Sequence, residues 1–336
     1  MVTGAGGYIG TQIIKDLLKV GHKVTAVDRF FFGKQTLDHL TNNENLTLLQ
    51  KDIRDLDVYD LEGHEVVFDL ACLSNDPAGE IDPKLTYEIN RDGRISVASN
   101  AKKAGVSKYV ISSSCSVYGK AEDNLLDELA ITNPVSVYAK STLEAEEQNL
   151  SIASDTFSVT ALRNATVFGL SNRMRFDLVV NLMTLSAFQK GRIIVMGGGL
   201  QWRPLVHISD VSNAFIKTIS CPISKVNQQI FNIGMRNIQV KNLAYLVREV
   251  LPFSVEIEIA PDDSDNRDYR VIFDKAESVL GFKGQISIED GVREIYNSLK
   301  NGKVDVGPKT NTVKWYRNIL EAKDLIDSIS INGRIL

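Results

Sequence analysis

Short apolar runs rich in valine, isoleucine and leucine alternate, along the first half of this chain, with longer stretches whose apolar residues recur every three to four positions. Such a run suits a strand buried on both faces, and the longer recurrence suits an amphipathic helix packed on it. The pattern predicts strands at Lys23–Val27, Leu46–Gln50, Val66–Leu70, Lys108–Ser112 and Ser158–Arg163. Helices are predicted at Tyr8–Val20, Lys84–Ala104 and Val137–Ser151, with a short turn at Asp55–Asp60. Right-handed crossovers wind units of this kind into a doubly wound parallel sheet. The first strand is the exception. Only Met1, Val2 and Thr3 precede the first glycine, against the usual five or so residues of a central strand, and this reads as a strand whose beginning is missing from the written sequence.

After Gly169 the rhythm loosens. Strands are expected at Ile193–Met196, Glu256–Ile259 and Gln285–Ser287, and helices at Asp177–Gln189, Ser209–Ile219 and Val240–Val250. The expected division is a first domain over 1–168, joined by a returning segment around 206–236 in which Ile230–Ile233 re-enters the main sheet. Residues 169–205 and 237–311 then form a smaller α/β lobe over the carboxyl ends of the strands. The remainder, 312–336, carries a helix at Thr312–Ile329 with Trp315, Ile319, Leu320 and Leu325, read as a packing or oligomer contact.

With 336 residues and 43% of them hydrophobic, the chain can bury an extensive core. A net charge of −4 without blocks of like charge argues against nucleic acid or an anionic membrane as the main partner. No apolar run is long enough to span a bilayer, and the start resembles neither a signal peptide nor a basic presequence, so the cytoplasm is the expected compartment. Cys72, Cys115 and Cys221 are widely spaced and the histidines scattered. That gives no disulfide framework and no metal-ligand spacing, and no metal is expected.

The chemistry begins at Val2-Thr-Gly-Ala-Gly-Gly-Tyr-Ile-Gly10. Gly4 would let the chain turn off a strand, Gly7 would admit a pyrophosphate to the backbone, and Gly10 would let the next helix pack closely on the sheet. The helix N-terminus at Tyr8 and Ile9 then faces the phosphates. Asp28, at the end of the second strand, is placed to accept hydrogen bonds from ribose hydroxyls and to repel a 2′-phosphate, which favours NAD over NADP; Arg29 beside it weakens that exclusion. Further on, Val110-Ile-Ser-Ser-Ser-Cys-Ser-Val-Tyr-Gly119 is an apolar strand running into small hydroxyls, and Ser136-Val-Tyr-Ala-Lys-Ser-Thr142 opens a helix. Strand ends of this kind line the ligand crevice of an open α/β sheet.

With these residues the chain resembles an extended short-chain dehydrogenase/reductase of the NAD-dependent nucleotide-sugar epimerase and dehydratase family, from Gly4 to about Gly302. The resemblance implies a Rossmann domain whose NAD site includes Asp52 and Ile53 beside the adenine, Leu70 and Ala71 after the third main strand, Asn90, Ser112 and Asn164. It implies that Tyr138 removes a hydroxyl proton from the sugar, commonly at C4, while Ser114 holds the same oxygen. Ser114, Ser116 and Asn164 would contact the sugar. Asn181, Arg203 and Arg267, within Val180-Asn-Leu-Met183, Arg203-Pro-Leu-Val-His-Ile-Ser-Asp210 and Asp265-Asn-Arg-Asp-Tyr-Arg270, resemble the residues that grip the nucleotide diphosphate. A homodimer paired through the helices Lys84–Ala104 and Val137–Ser151, and a role in surface-polysaccharide or glycoconjugate synthesis, are likewise implied.

Two departures from the family pattern matter. Thr142 stands where the family has a lysine, one helical turn beyond the tyrosine and on its face. That lysine binds the nicotinamide ribose and lowers the tyrosine pKa. Lys140 lies elsewhere around the helix, so weakened turnover, or NAD binding without turnover, is one reading. Cys115 and Ser116 occupy the places where the family's dehydratases carry an Asp-Glu pair, which disfavours dehydration. Relatives that invert C3 or C5 carry a cysteine aligned with Ser116; Cys115 is one residue off that register and reads as packing. Pro204 replaces an acid found in many relatives. The expected activity is an NAD-dependent nucleotide-sugar epimerase, with a 4-dehydrogenase or ketoreductase as the enzymatic alternative.

Overall fold

A computed structural model describes residues 1–261 and 267–335. Its strands are β1 (Val2–Thr3), β2 (Val24–Asp28), β3 (Leu46–Gln50), β4 (Val66–Asp69), β5 (Lys108–Ser114), β6 (Lys120–Leu126), β7 (Ser158–Asn164), β8 (Thr166–Phe168), β9 (Arg192–Val195), β10 (Trp202–His207), β11 (Gln229–Ile233), β12 (Arg236–Gln239), β13 (Glu256–Ile259) and β14 (Asp268–Val271). Seven of them form a parallel sheet in the order β3-β2-β1-β4-β5-β7-β11. The order reverses between β1 and β4, and an open parallel sheet leaves its ligand crevice at the carboxyl ends beside that point.

Helices cover both faces, which is why the strands read as continuous apolar runs; β7 is buried at every position. On one face the helices Tyr8–Lys19 and Ile208–Ser220 bury Ile13, Ile14, Leu17 and Phe215 against Val2, Phe68 and Val110. On the other, Arg94–Lys103 supplies Val97, Ala98 and Ala101 to a core with Tyr109, Val159 and Phe157. A separate core lies among the helices Val179–Lys190, Val240–Val250 and Ile288–Lys300, where Val180 and Met183 meet Leu243, Val247, Ile288 and Val292.

A buried ion pair ties the strands beneath the crevice. The Arg94 Nε donates to Asp69 Oδ2 at 2.8 Å, the Tyr109 hydroxyl donates to the same oxygen at 2.7 Å, and Thr3 Oγ1 donates to Asp69 Oδ1 at 2.6 Å. Arg94 and Asp69 have no exposed surface, and so many partners are what a charge needs when removed from water. The Thr3 hydroxyl in turn accepts from the backbone N–H of Leu70 and Ala71. The loop after β4 is thereby held against β1 even though β1 is only two residues long.

Several expectations are revised. The long helix is built from Pro83–Tyr87, a π-helical segment Glu88–Gly93, and Arg94–Lys103. Gln285–Ser287 is not a strand: the N–H groups of Gln285 and Ile286 donate to Asp210 Oδ2, each at 3.0 Å, in place of a ladder. Within 206–236 only β11 joins the main sheet, whereas β10 pairs with β8 and β12 in a separate sheet. The pairing of β6 with β14 and the strands β8, β10 and β12 escaped the sequence pattern. They are short pieces whose partners lie far away along the chain, and strand preference depends on those partners.

Candidate active site

The crevice opens above β2, β1, β4, β5 and β7, and its wall includes Gly4, Gly7, Tyr8, Ile9, Gly10, Asp28, Arg29, Asp52, Ile53, Leu70, Ala71, Ser112, Ser114, Ser116, Tyr138, Asn164 and Arg267. Residues spread over most of the sequence thus meet along one groove. Gly4 has a φ of +65°, and a side chain there would come within 2.8 Å of the Ala71 nitrogen; a Cβ on Gly10 would lie 2.3 Å from the Gly4 carbonyl. Only glycine permits this turn, which leaves the helix Tyr8–Lys19 starting at the groove without a side-chain cap.

Asp28 accepts from Phe30 N–H at 2.6 Å and Gly6 N–H at 3.0 Å. Burial pushes its carboxyl above the usual range, and these N–H groups oppose the rise. Arg29 pairs with Asp52 at 3.0 Å, and both line the groove. Asn164 Nδ2 donates to Ser112 Oγ at 3.0 Å, while Asn164 Oδ1 and Ser116 Oγ are buried in the wall without any hydrogen-bond partner among the described residues. Buried polar atoms without partners are costly, so such a groove fits a polar ligand. Together with the glycine turn and the carboxylate, the residues present fit a dinucleotide. Asp28→Asn is expected to weaken NAD binding about tenfold to a hundredfold, the size of one charge-assisted hydrogen bond, and to narrow the preference over NADP; parallel titrations with the two cofactors check both.

Tyr138 is set by its helix start. Ser136 caps the helix Val137–Ser151, accepting from Ala139 N–H and donating to Asp76 Oδ1 at 2.5 Å. Gly79 lets the segment Asp76–Gly79 lie directly on the Tyr138 backbone, where a Cβ would fall 2.9 Å from that of the tyrosine. Burial pushes the phenol well above its ordinary pKa; the Cys72 thiol adds to this, and a hydrogen bond with Ser114 and the charge of Arg94 act against it. Thr142 is 1% exposed and lies behind the wall, its hydroxyl beside the Cys72 thiol without a hydrogen bond of normal geometry. Lys140 points to solvent.

Asn90 and Asn181 stand back from the groove. Asn90 accepts from Leu73 N–H at 2.8 Å and donates to the Leu73 carbonyl, so it props the loop after β4. Asn181 is fully buried, accepting from Gly169 N–H and donating to the Tyr8 hydroxyl and the Arg175 carbonyl. The residue expected to reach phosphate and base thus ties Gly169 and Arg175 to the Tyr8 side chain at the start of the first helix. Arg203 donates to the backbone carbonyls of Trp202 and Arg267, and Arg267 pairs with Asp76. Asp265 and Asn266 of the same motif lie outside the described residues. Cys115 has no exposed surface and donates to the Arg163 carbonyl among Val117, Tyr118 and Tyr269. Burial drives its thiol pKa upward.

The groove also contains residues that sequence reading passed over. Arg173 and Arg175 alternate around the buried Met174, and Arg175 forms a two-pronged pair with Asp177 at 3.1 and 3.0 Å. An Arg-x-Arg placed shortly after Gly169 was the available signal. Thr312 and Tyr316, from the C-terminal helix, complete the wall, and nothing in the local sequence marks them.

Known proteins are similar to this chain in sequence and in fold. A UDP-glucose 4-epimerase of Mycolicibacterium smegmatis is 28% identical, over 90% of this chain and 98% of that protein. UDP-glucuronic acid decarboxylase 1 of Danio rerio is 25% identical, over 88% and 71%. The structure of MoeE5 in complex with UDP-glucuronic acid and NAD is 27% identical and superimposes with a TM-score of 0.79, over 90% of this chain and 98% of that one. The family model for NAD-dependent epimerases and dehydratases matches residues 1–234, a span that contains the glycine turn, Asp28, Ser114 and Tyr138. The family model covers more than half of the sequence and the fold agrees with that of a solved relative, and the chain belongs to the NAD-dependent epimerase/dehydratase family.

Proposed function

We propose that this protein holds a UDP-sugar beside NAD and oxidises the sugar reversibly at C4, so that return of the hydride to the other face gives an epimer. The observation that carries the reading is the meeting of Tyr138 and Ser114 in one groove with the glycine turn and Asp28. NAD supplies the hydride acceptor when bound. Tyr138 takes the proton of the reacting hydroxyl, and Ser114 fixes that oxygen and favours the phenolate. Arg203 and Arg267, at the junction of the lobes, bind the diphosphate, Arg267 exchanging Asp76 for it. The names of the relatives motivate uridine as the base. Dehydration is disfavoured because Cys115 is buried and neither Cys115 nor Ser116 is a carboxylic acid. Pairing of two copies through Pro83–Lys103 and Val137–Ser151 belongs to the same reading.

Thr142 favours a second reading, in which NAD and the sugar nucleotide bind with little turnover. The two are separated by adding UDP-glucose or UDP-glucuronic acid to the NAD-loaded protein and following absorbance at about 340 nm, where reduced nicotinamide absorbs. A transient rise with formation of the C4 epimer is expected. A lasting rise marks a dehydrogenase, and a flat trace with confirmed binding of both ligands overturns the epimerase in favour of the second reading.

A further inference from the structure

The C-terminal helix Thr312–Ile329 lies outside the residues matched by the family model, which ends at 234. It nevertheless helps to form the groove. Trp315 Nε1 donates to the Phe31 carbonyl at 2.8 Å, and the Tyr316 ring meets Phe31 and Phe32 with centroids 6.4 and 5.8 Å apart. The same helix packs against Asp76–Gly79. Phe31 and Phe32 follow β2, and Asp76–Gly79 follows β4; β1, with its glycine turn, lies between those strands in the sheet. A helix that touches both loops therefore crosses over the glycine turn.

Arg173 sits under this crossing. Its Nη2 donates to Thr312 Oγ1 at 2.9 Å, and its guanidinium lies 3.5 Å from the centre of the Phe32 ring. It is only 5% exposed, it makes no ion pair among the described residues, and its Nε has no hydrogen-bond partner. Arg175 nearby is already matched by Asp177. A cation buried this deeply without an anion is unfavourable unless a ligand brings one. The ligand chemistry that fits is a pyrophosphate, because the start of the helix Tyr8–Lys19, which has no side-chain cap, lines the same groove as Arg173.

We infer that the C-terminal helix is part of the cofactor site, roofing the glycine turn and seating Arg173 to bind the NAD pyrophosphate opposite the start of the helix Tyr8–Lys19. The inference rests on the NAD reading of the groove and adds a binding residue and a segment to it. The other source of a pyrophosphate is the sugar nucleotide, and the test separates the two.

Arg173→Met and Arg173→Lys are compared with the unmodified full chain in titrations with ADP-ribose and with UDP, circular dichroism confirming equal folding. Arg173→Met is expected to weaken ADP-ribose binding about tenfold or more, the effect of losing charge-assisted hydrogen bonds, and to leave UDP binding within about twofold; Arg173→Lys recovers part of the loss. Tyr316→Ala, which keeps Arg173 but opens the roof, is expected to release NAD faster, as followed by stopped-flow displacement. ADP-ribose affinity unchanged in Arg173→Met, or a loss confined to UDP, overturns the inference while leaving the NAD reading intact. Failure of the unmodified chain to bind ADP-ribose overturns both.

Discussion

Tyr138→Phe is expected to slow hydride transfer about a thousandfold while leaving NAD bound. The ring stays in its place, because Ser136 caps the helix and Gly79 supports the tyrosine backbone, so the change removes only the group that accepts the proton. A positioned general base contributes about a hundredfold to ten-thousandfold to such a step. The measurement is single-turnover reduction of bound NAD by the sugar nucleotide, with NAD affinity titrated separately. A rate within about tenfold of the unmodified protein assigns the proton to another group, and Ser114 is then the next residue to replace.

The second large effect runs in the opposite direction. Thr142→Lys is expected to raise the rate of NAD reduction at neutral pH about a hundredfold. Burial holds the Tyr138 phenol above its ordinary value, with the Ser114 hydrogen bond and Arg94 only partly compensating. An ammonium within a few ångströms lowers such a pKa by about one to three units, and each unit multiplies the phenolate fraction about tenfold at a pH below the pKa. Thr142 lies behind Cys72, itself on the groove wall, so a lysine stem from this position leads to the groove. The sign follows from the active form. Phenolate is required, so the rate climbs with pH up to the Tyr138 pKa, and lowering that pKa moves the climb toward acid. A pH–rate profile of both proteins checks the shift. An unchanged profile means that a group other than residue 142 already activates the tyrosine.

Much of the groove was legible in the sequence for local reasons. The glycines of residues 4 to 10, the acidic end of β2, the hydroxyls ending β5 and the tyrosine at a helix start each sit in a recognisable local context. The sheet order then brings them together, since parallel strands present all their carboxyl ends on one side. Asn90 and Asn181 were less legible. Motif position brought them near the site, but what they do depends on neighbours distant along the chain: Leu73 for the first, Tyr8 and Arg175 for the second. Arg173 and Tyr316 were the least legible, because a loop arginine between Asn172 and Met174 and an aromatic on an amphipathic helix look the same whether they face solvent or a groove.

By itself, the order of residues determined the alternation of strands and helices, the glycine turn, the acid at residue 28, the base candidate Tyr138 and a threonine, Thr142, one helical turn beyond it. These depend on backbone conformation and on period along the chain, both of which operate over a few residues. Only the tertiary structure decided that the C-terminal helix crosses the glycine turn, that Arg173 is buried without an ion pair among the described residues, and that Cys115 is sealed in a core. Those outcomes come from contacts between residues more than a hundred positions apart, such as Trp315 with Phe31 and Arg173 with Thr312. Burial and charge compensation are properties of the assembled environment, which no local stretch of chain contains.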